Sequence, residues 1–153
     1  MKLMQTNTEY SVEPLAVLLI DGLESLARKH WQEVYNKPDD FEFDPDWKEV
    51  KAAEDSGRMR WFCARHDGVL VGYASLYLVK SMPNKGKMIA VIQDLFLSEE
   101  RRGTNDIFGL LRFVISTAKT IGASKVFAYE PVESRVGVLY KRLRFRPTEC
   151  VWA

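Results

Sequence analysis

Arg101, Arg102 and Gly103 follow the apolar run Leu95-Phe96-Leu97 after Ser98, Glu99 and Glu100, and precede a run from Asp106 to Val114 whose apolar residues recur at helical spacing. A strand, a tight turn rich in backbone N–H groups and a helix N-terminus together hold phosphate well, because unpaired N–H groups and the positive end of the helix dipole converge there. Most such turns carry two or three glycines. This one has Gly103 followed by Thr104, Asn105, Asp106 and Ile107, so a charged turn leading into a capped helix is an equally direct reading. A second stretch, HWQEVYNKPDDFEFDPDW, sets His30, Glu33, Asp39, Asp40, Glu42, Asp44 and Asp46 among Trp31, Phe41, Phe43 and Trp47. Acidic groups interleaved with aromatic rings can receive a cationic amine, a lysine or a basic peptide. An exposed interhelix loop anchored by its aromatics would look the same. His30 and Glu33 lie three apart and can share a helix face, but no further ligands accompany them and no metal is assigned. Serine-nucleophile and Cys-His chemistry also lack local context.

The elements that would position these groups can be read from periodicity. LMQTNTEY suits an edge strand ended by Pro14. From Leu15 to Tyr35 the apolar residues Leu15, Leu18, Leu19, Leu23, Leu26 and Ala27 recur three and four apart, which predicts one helix. Asp44 or Asp46 can cap a second helix, from Trp47 to Asp55. The period then shortens to that of strands. MRWFCARHDGVLVGYASLYLV reads as a hairpin turning at Asp67-Gly68, and KSMPNKGK leads into a third strand of the meander, MIAVIQDLFL. A helix from Asp106 to Ile121 should turn Ile107, Leu110, Leu111, Val114 and Ala118 to the sheet. A strand SKVFAYE, a helix ESRVGVLYKRL and a final strand TECVWA complete the order.

Composition bounds the possibilities. A chain of 153 residues fits one domain that buries roughly 70% of its unfolded surface. Lys and Arg number 22 against 21 Asp and Glu, a net charge of +1, which points away from nucleic acid as a partner. Apolar runs such as PLAVLLI and VFAY fall far short of the ~20 residues needed for a membrane span, and the first residues lack an apolar signal core. A cytoplasmic location follows as the expectation. Cys63 and Cys150 are too few for a disulfide scaffold and read as buried strand residues.

Taken along its whole length, this order resembles the GNAT superfamily of acyl-CoA-dependent N-acyltransferases. DGVLVGYASLYLV is similar to the family's second and third strands, and DLFLSEERRG to its fourth strand and pyrophosphate loop. VLYKRLRF is similar to its LYxKLGF helix end, with Arg144 where glycine is usual. The resemblance implies an α/β fold with a mixed, mostly antiparallel sheet of about six or seven strands flanked by about four helices.

It also implies an acetyl-CoA co-substrate. Leu95, Phe96 and Leu97 would offer backbone groups to the pantetheine arm where the fourth and fifth strands splay, and Arg101 through Phe108 would surround the pyrophosphate. The family pattern there, Q/R-x-x-G-x-G/A, meets Arg102, Gly103, Thr104, Asn105, Asp106 and Ile107. The arginine is kept and both glycines are lost. Asn105 is suited to left-handed backbone angles, Asp106 would bring a negative charge near the pyrophosphate unless it points away, and the branched Ile107 could block its approach.

Tyr140 takes the family's place beside the leaving thiolate. Asp94 and Glu130 are the candidate bases for the amine, an acceptor that could be a small molecule or a protein amino group. His30, Glu33, Asp39 and Asp40 are the candidate acceptor-binding residues. A non-catalytic binding protein on the same fold, with a degenerate loop, is the alternative. HWQEV, DPDWKEV and DSGRMRWF look most like small bacteriophage-encoded members, and a free sheet edge near the last strand would support a homodimer.

Overall fold

The computed structural model describes residues 7–35, 41–131 and 134–152. Five strands form one sheet in the order β1-β2-β3-β4-β5: β1 Thr8–Val12, β2 Met59–His66, β3 Val69–Lys80, β4 Met88–Leu97 and β5 Lys125–Ala128. The first three pairings are antiparallel and β4–β5 is parallel. Helices α1 Leu15–Ile20, α2 Leu23–Val34 and α3 Trp47–Asp55 cover one face, while α4 Asp106–Ile121 covers the other, with α5 Val136–Arg142 following β5. This is the mixed, mostly antiparallel α/β fold expected from the sequence.

Alternation along the strands builds two cores. On β2, Met59, Trp61 and Cys63 face α1–α3, while Phe62 and Ala64 face α4. The α4 residues Leu110, Leu111, Val114 and Ala118 are fully buried against the sheet, as their spacing requires. The β2–β3 hairpin turns at Asp67 and Gly68, with φ +50° and +80°, as the Asp-Gly pair predicts. Asp46 caps α3 by accepting from the Glu49 N–H at 3.1 Å.

Several expectations need correction. The helix from Leu15 to Tyr35 is two helices, because Gly22 takes φ +105° and turns the chain after Asp21. A continuous apolar stripe hides such a break, since both helices pack on the same face. The edge strand runs from Thr8 to Val12, later than LMQTNTEY suggested; residues 1–6 lie outside the described residues. No strand forms at 148–152: Val151 and Trp152 are 83% and 91% exposed, and without burial or a ladder partner extended backbone gains nothing. Cys150 is accordingly exposed, whereas Cys63 is buried in β2 as expected. The described residues therefore hold five strands rather than six or seven, and five α-helices rather than four. No helix among them is long and apolar enough to cross a membrane.

An ion-pair cluster ties the edge of the sheet to α1. Arg65 on β2 contacts both carboxylate oxygens of Glu13 at 2.9 Å and reaches Asp21 at 2.6 Å. Glu13 also accepts hydrogen bonds from Ser11 and Cys63. The Arg65 hydrogen bonds hold the Glu13 carboxyl down at about 2, and burial pushes the Cys63 thiol up to about 11. Because the folded carboxyl is depressed, its contribution to stability is complete above the unfolded value of 4.5 and is lost as pH falls toward about 2. Urea midpoints should fall across that window, and Glu13→Gln should flatten the fall. Equal slopes for the two proteins would show that the cluster carries no such linkage.

Candidate functional site

The site begins at an irregularity in β4. In the β3–β4 ladder Ser75 faces Asp94 and Leu76 faces Ile92, so Gln93 is an unopposed extra residue. A bulge of this kind reverses the direction of every following side chain. Before it, Ala90 and Ile92 face α4. After it, Leu95 and Leu97 face α4, and Asp94 and Phe96 are delivered to the α2–α3 side.

The same stretch of β4 loses its other neighbour. Parallel pairing with β5 ends at Ile92–Ala128, and the strands splay beyond it. Ser98 N–H bonds to the Val71 carbonyl at 2.8 Å, which fixes the phase of the β3–β4 ladder. Phe96 therefore turns its main-chain groups to β3, while those of Leu95 and Leu97 turn to the splay. The Leu97 carbonyl is already filled, by Arg102 Nε at 2.9 Å.

The turn after β4 starts with a short 3-10 helix, Glu99–Arg101, and turns at Gly103, φ +81°. Asn105 sits at φ −81°, so the left-handed angles for which it looked suited are not used. Asp106 is 2% exposed and faces inward: its carboxylate accepts from Arg101 at 2.7 and 2.9 Å and from Thr8 Oγ1 at 3.0 Å. Its charge is thus neutralised inside the fold rather than aimed at the turn. Ile107 packs against the α4-side core, which turns its branched side chain away from the role of an obstruction. The Asn105 side chain makes no capping bond to α4, and the Thr104 hydroxyl accepts from the Asp106 N–H at 3.2 Å. Beside that turn, Asn105, Phe108, Arg112, Arg142 and Leu143 line a recess of about 440 Å³. Arg112 and Arg142 carried no signal in the sequence, because single arginines on helices are ordinary surface residues.

Both loop arginines are engaged. Arg101 holds Asp106, and Arg102 pairs with Glu33 on α2 at 2.7 Å while lying over the Phe96 ring. Glu33 therefore clamps α2 to the turn. His30, one turn earlier, faces the sheet: it is 7% exposed, stacks on Phe96 and shares a 2.7 Å hydrogen bond between Nδ1 and the Tyr73 hydroxyl. Burial pushes the His30 pKa down, against the charges of Asp94 and Glu33, so the ring is neutral at pH 7; burial likewise raises the Tyr73 phenol.

Asp94 accepts from Ser75 Oγ at 2.5 Å and lies on the wall of a pocket of about 210 Å³, with His30, Trp31, Phe43, Trp47 and Trp61. Tyr73 and Tyr77 complete that wall, and the Trp61 indole N–H has no hydrogen-bond partner among the described residues. Sequence reading missed Trp61, Tyr73 and Tyr77, because strand aromatics alternate into any core. Asp39 and Asp40 lie outside the described residues.

Across the splay, Tyr140 on α5 is 8% exposed and donates its hydroxyl to the Tyr129 carbonyl at 3.0 Å. Burial, and then the charge of Glu130, raise its pKa well above the usual phenol range, which suits a hydrogen-bond donor and not an acid. Glu130 accepts from the Gly137 N–H at 3.0 Å, and a Cβ at Gly137 would lie 2.2 Å from that carboxylate oxygen. The carboxylate thus fastens the start of α5. The end of α5 is closed by a Schellman motif, with Phe145 N–H on the Tyr140 carbonyl and Arg144 N–H on that of Lys141. Phe145 also contacts the Tyr140 ring at 5.5 Å between centroids. Arg144 occupies the left-handed position of this motif at φ +66°. Among the described residues no group of three or more His, Cys, Asp or Glu could hold a metal ion.

Comparison with known proteins agrees with this geometry. The sequence matches the acetyltransferase (GNAT) family over residues 20–143. No curated protein matches the chain significantly. A predicted acetyltransferase from Clostridium acetobutylicum, solved with acetyl-CoA, is similar at TM-score 0.77 and 15% identity, covering 95% of this chain and 94% of that one. A ribosomal-protein-alanine N-acetyltransferase from Brucella melitensis biovar Abortus 2308 is similar at TM-score 0.71 and 18% identity, over 95% and 96% of the two chains. An aminoglycoside N-acetyltransferase in complex with CoA gives TM-score 0.74 and 15% identity over 100% and 97%. At these identities the likeness is one of fold. Nothing in these comparisons supports the bacteriophage-encoded subgroup.

Two stability outcomes follow from the site. Arg144→Gly should stabilise the protein by about 1 kcal/mol, by relieving a left-handed non-glycine residue; an unchanged urea midpoint would mean that the position is unstrained. Arg101→Met should destabilise by about 3–5 kcal/mol, because it strands the Asp106 charge, and adding Asp106→Asn should recover much of the loss. No recovery in the double variant would show that the pair is not the cause.

Proposed function

The chain belongs to the acetyltransferase (GNAT) family, and from that premise we propose that it moves the acetyl group of acetyl-CoA to an amine, a small molecule or a protein amino group, by direct attack. One observation carries the reading. Where β4 leaves β5, the main chain of Leu95 and Leu97 turns to an open splay, and just beyond it lies the first turn of α4, which the Asn105 side chain does not cap. The splay suits a pantetheine arm, which needs peptide-like hydrogen-bond partners in an extended slot. The helix start suits a pyrophosphate. Arg112 and Arg142, in the adjoining recess, would supply positive charge that Arg101 and Arg102 have committed elsewhere.

The chemistry would proceed in one exchange. The neutral amine nitrogen attacks the thioester carbonyl carbon, the tetrahedral intermediate expels the CoA thiolate, and the amine gives up one proton. An alkyl ammonium of pKa ~10.4 is only about a thousandth deprotonated at neutral pH, so a nearby proton acceptor is useful. Asp94, directly or through water, takes that role here. Tyr140 would turn its hydroxyl from the Tyr129 carbonyl to the developing thiolate and stabilise it by hydrogen bonding. Glu130, fastened to α5, serves to position Tyr140.

A non-catalytic binding protein is the second reading, favoured by one observation: both arginines of the turn are already paired with carboxylates. Calorimetric titration with acetyl-CoA and with CoA separates the two. Micromolar binding is the expected result, and no binding to well-folded protein would favour the second reading. In the acetyl-transfer assay, Tyr140→Phe and Asp94→Asn should each lower kcat by about 10²-fold or more. Glu130→Gln should chiefly lower stability. A normal rate for Tyr140→Phe or Asp94→Asn would remove that residue from the mechanism.

A further inference from the structure

The pocket on the α2–α3 side restricts what the acceptor can be, and this inference rests on the acetyl-transfer reading. Rings predominate in its walls, among them Trp31, Trp47, Trp61, Phe43, Tyr73 and Tyr77, with smaller apolar side chains such as Val50 and Met59 between them. The one carboxylate in its lining is Asp94, on the β4 segment that borders the splay. His30, the one titratable nitrogen in the lining, is kept uncharged by burial, so it neither repels a cation nor adds to the negative charge.

Charge, shape and size then point the same way. One carboxylate among aromatic faces complements one ammonium, by direct attraction and by cation–π contact. A molecule with several ammonium groups would leave all but one of them against apolar rings, where a desolvated charge is costly. The volume of about 210 Å³ is modest; a cavity of ~150 Å³ holds a benzene, so this one holds a ring or a compact aliphatic group with a short arm. The acidic residues Glu42, Asp44 and Asp46 are exposed, and their field draws cations in from solvent without selecting among them.

We propose that the pocket takes a small, singly charged amine with a compact apolar or aromatic body, its ammonium at Asp94 and its body between the tryptophans. Polyamines, aminosugars and extended peptides fit the pocket poorly. The acetylated nitrogen is then the one that Asp94 holds beside the splay.

Two arms test this. In the first, benzyltrimethylammonium, which cannot be acetylated, is titrated into the protein, with and without CoA, while tryptophan fluorescence is followed. It should quench, and 2-phenylethanol, the neutral analogue of 2-phenylethylamine, should bind about tenfold more weakly than 2-phenylethylamine. Trp47→Leu, which keeps an apolar wall but removes a ring face, should weaken the cation about fivefold more than the neutral analogue, and Trp47→Phe should restore most of the difference. Melting curves on each variant confirm folding.

In the second arm, kcat/KM for 2-phenylethylamine is compared with those for spermidine, kanamycin and a lysine-containing peptide, and should exceed each by about tenfold or more. Quenching by the probe with no acetyl transfer to any amine would overturn the catalytic reading and leave the pocket's preference standing. Efficient transfer to kanamycin or the peptide, with no quenching by the probe, would overturn the preference and leave the catalytic reading standing. Equal binding of the cation and its neutral analogue would overturn it as well.

Discussion

Between the Ser75–Asp94 and Leu76–Ile92 pairs, β4 carries one residue more than β3, and the side chains that follow inherit their direction from that surplus. Had Gln93 been paired, Asp94 would face the α4 core and Leu95 the pocket. The cost would be a carboxylate buried among Leu110, Leu111 and Val114, the kind of uncompensated charge that folded chains avoid. With the bulge, Ala90, Ile92, Leu95 and Leu97 of β4 all stay on the α4 side, while Asp94 and Phe96 are released to the other face. The bulge thus reconciles a continuous core with a functional strand. It lies just where pairing with β5 stops, so the reversed side chains and the open main chain come together at one place.

The charged groups around that place are organised mostly toward one another. Arg101 answers Asp106, Arg102 answers Glu33, Glu130 answers the start of α5, and Arg65 answers Glu13 and Asp21. Two of these contacts connect elements far apart in sequence, the turn to α2 and β2 to the β1–α1 corner, while Glu130 ties the end of β5 to the helix that follows it. The turn after β4 owes its shape to buried carboxylate chemistry more than to glycine. Thr104 Oγ1 bonds to the Arg101 carbonyl at 2.6 Å, Tyr10 bonds to the Asp106 carbonyl at 3.0 Å, and only Gly103 needs a positive φ within the turn. Losing two glycines therefore changes how the turn is held without requiring it to unwind.

On the two sides of the splay the environments are opposite in character. Toward α2 and α3 lie rings, one carboxylate and a neutral imidazole, a setting in which a cation is the favoured guest. Toward α4 and α5 lie the N-terminus of α4 and two arginines, a setting for an anion. A reaction joining a cationic acceptor to a polyanionic donor would find each partner drawn to its own side, with the main chain of Leu95 between them.

The sequence alone determined the elements whose signals are local. The period of Leu110, Leu111, Val114 and Ala118 placed α4, Asp67-Gly68 placed the hairpin, Asp44 and Asp46 marked the start of α3, and the order of elements pointed to the fold and family. Such features depend on neighbours within a few positions, and a chain displays those directly. What only the tertiary structure decided depends on partners distant in sequence. The break at Gly22 is hidden within a continuous stripe, and 148–152 has strand-like residues but no ladder to join. Asp106 and Ile107 look hostile to a phosphate until Arg101, Thr8 and the α4-side core turn them inward. The aromatic pocket draws on α2, α3, β2, β3 and β4 at once. Its decisive feature, the bulge at Gln93, is a mismatch between two strands, and a mismatch exists only once both strands are paired.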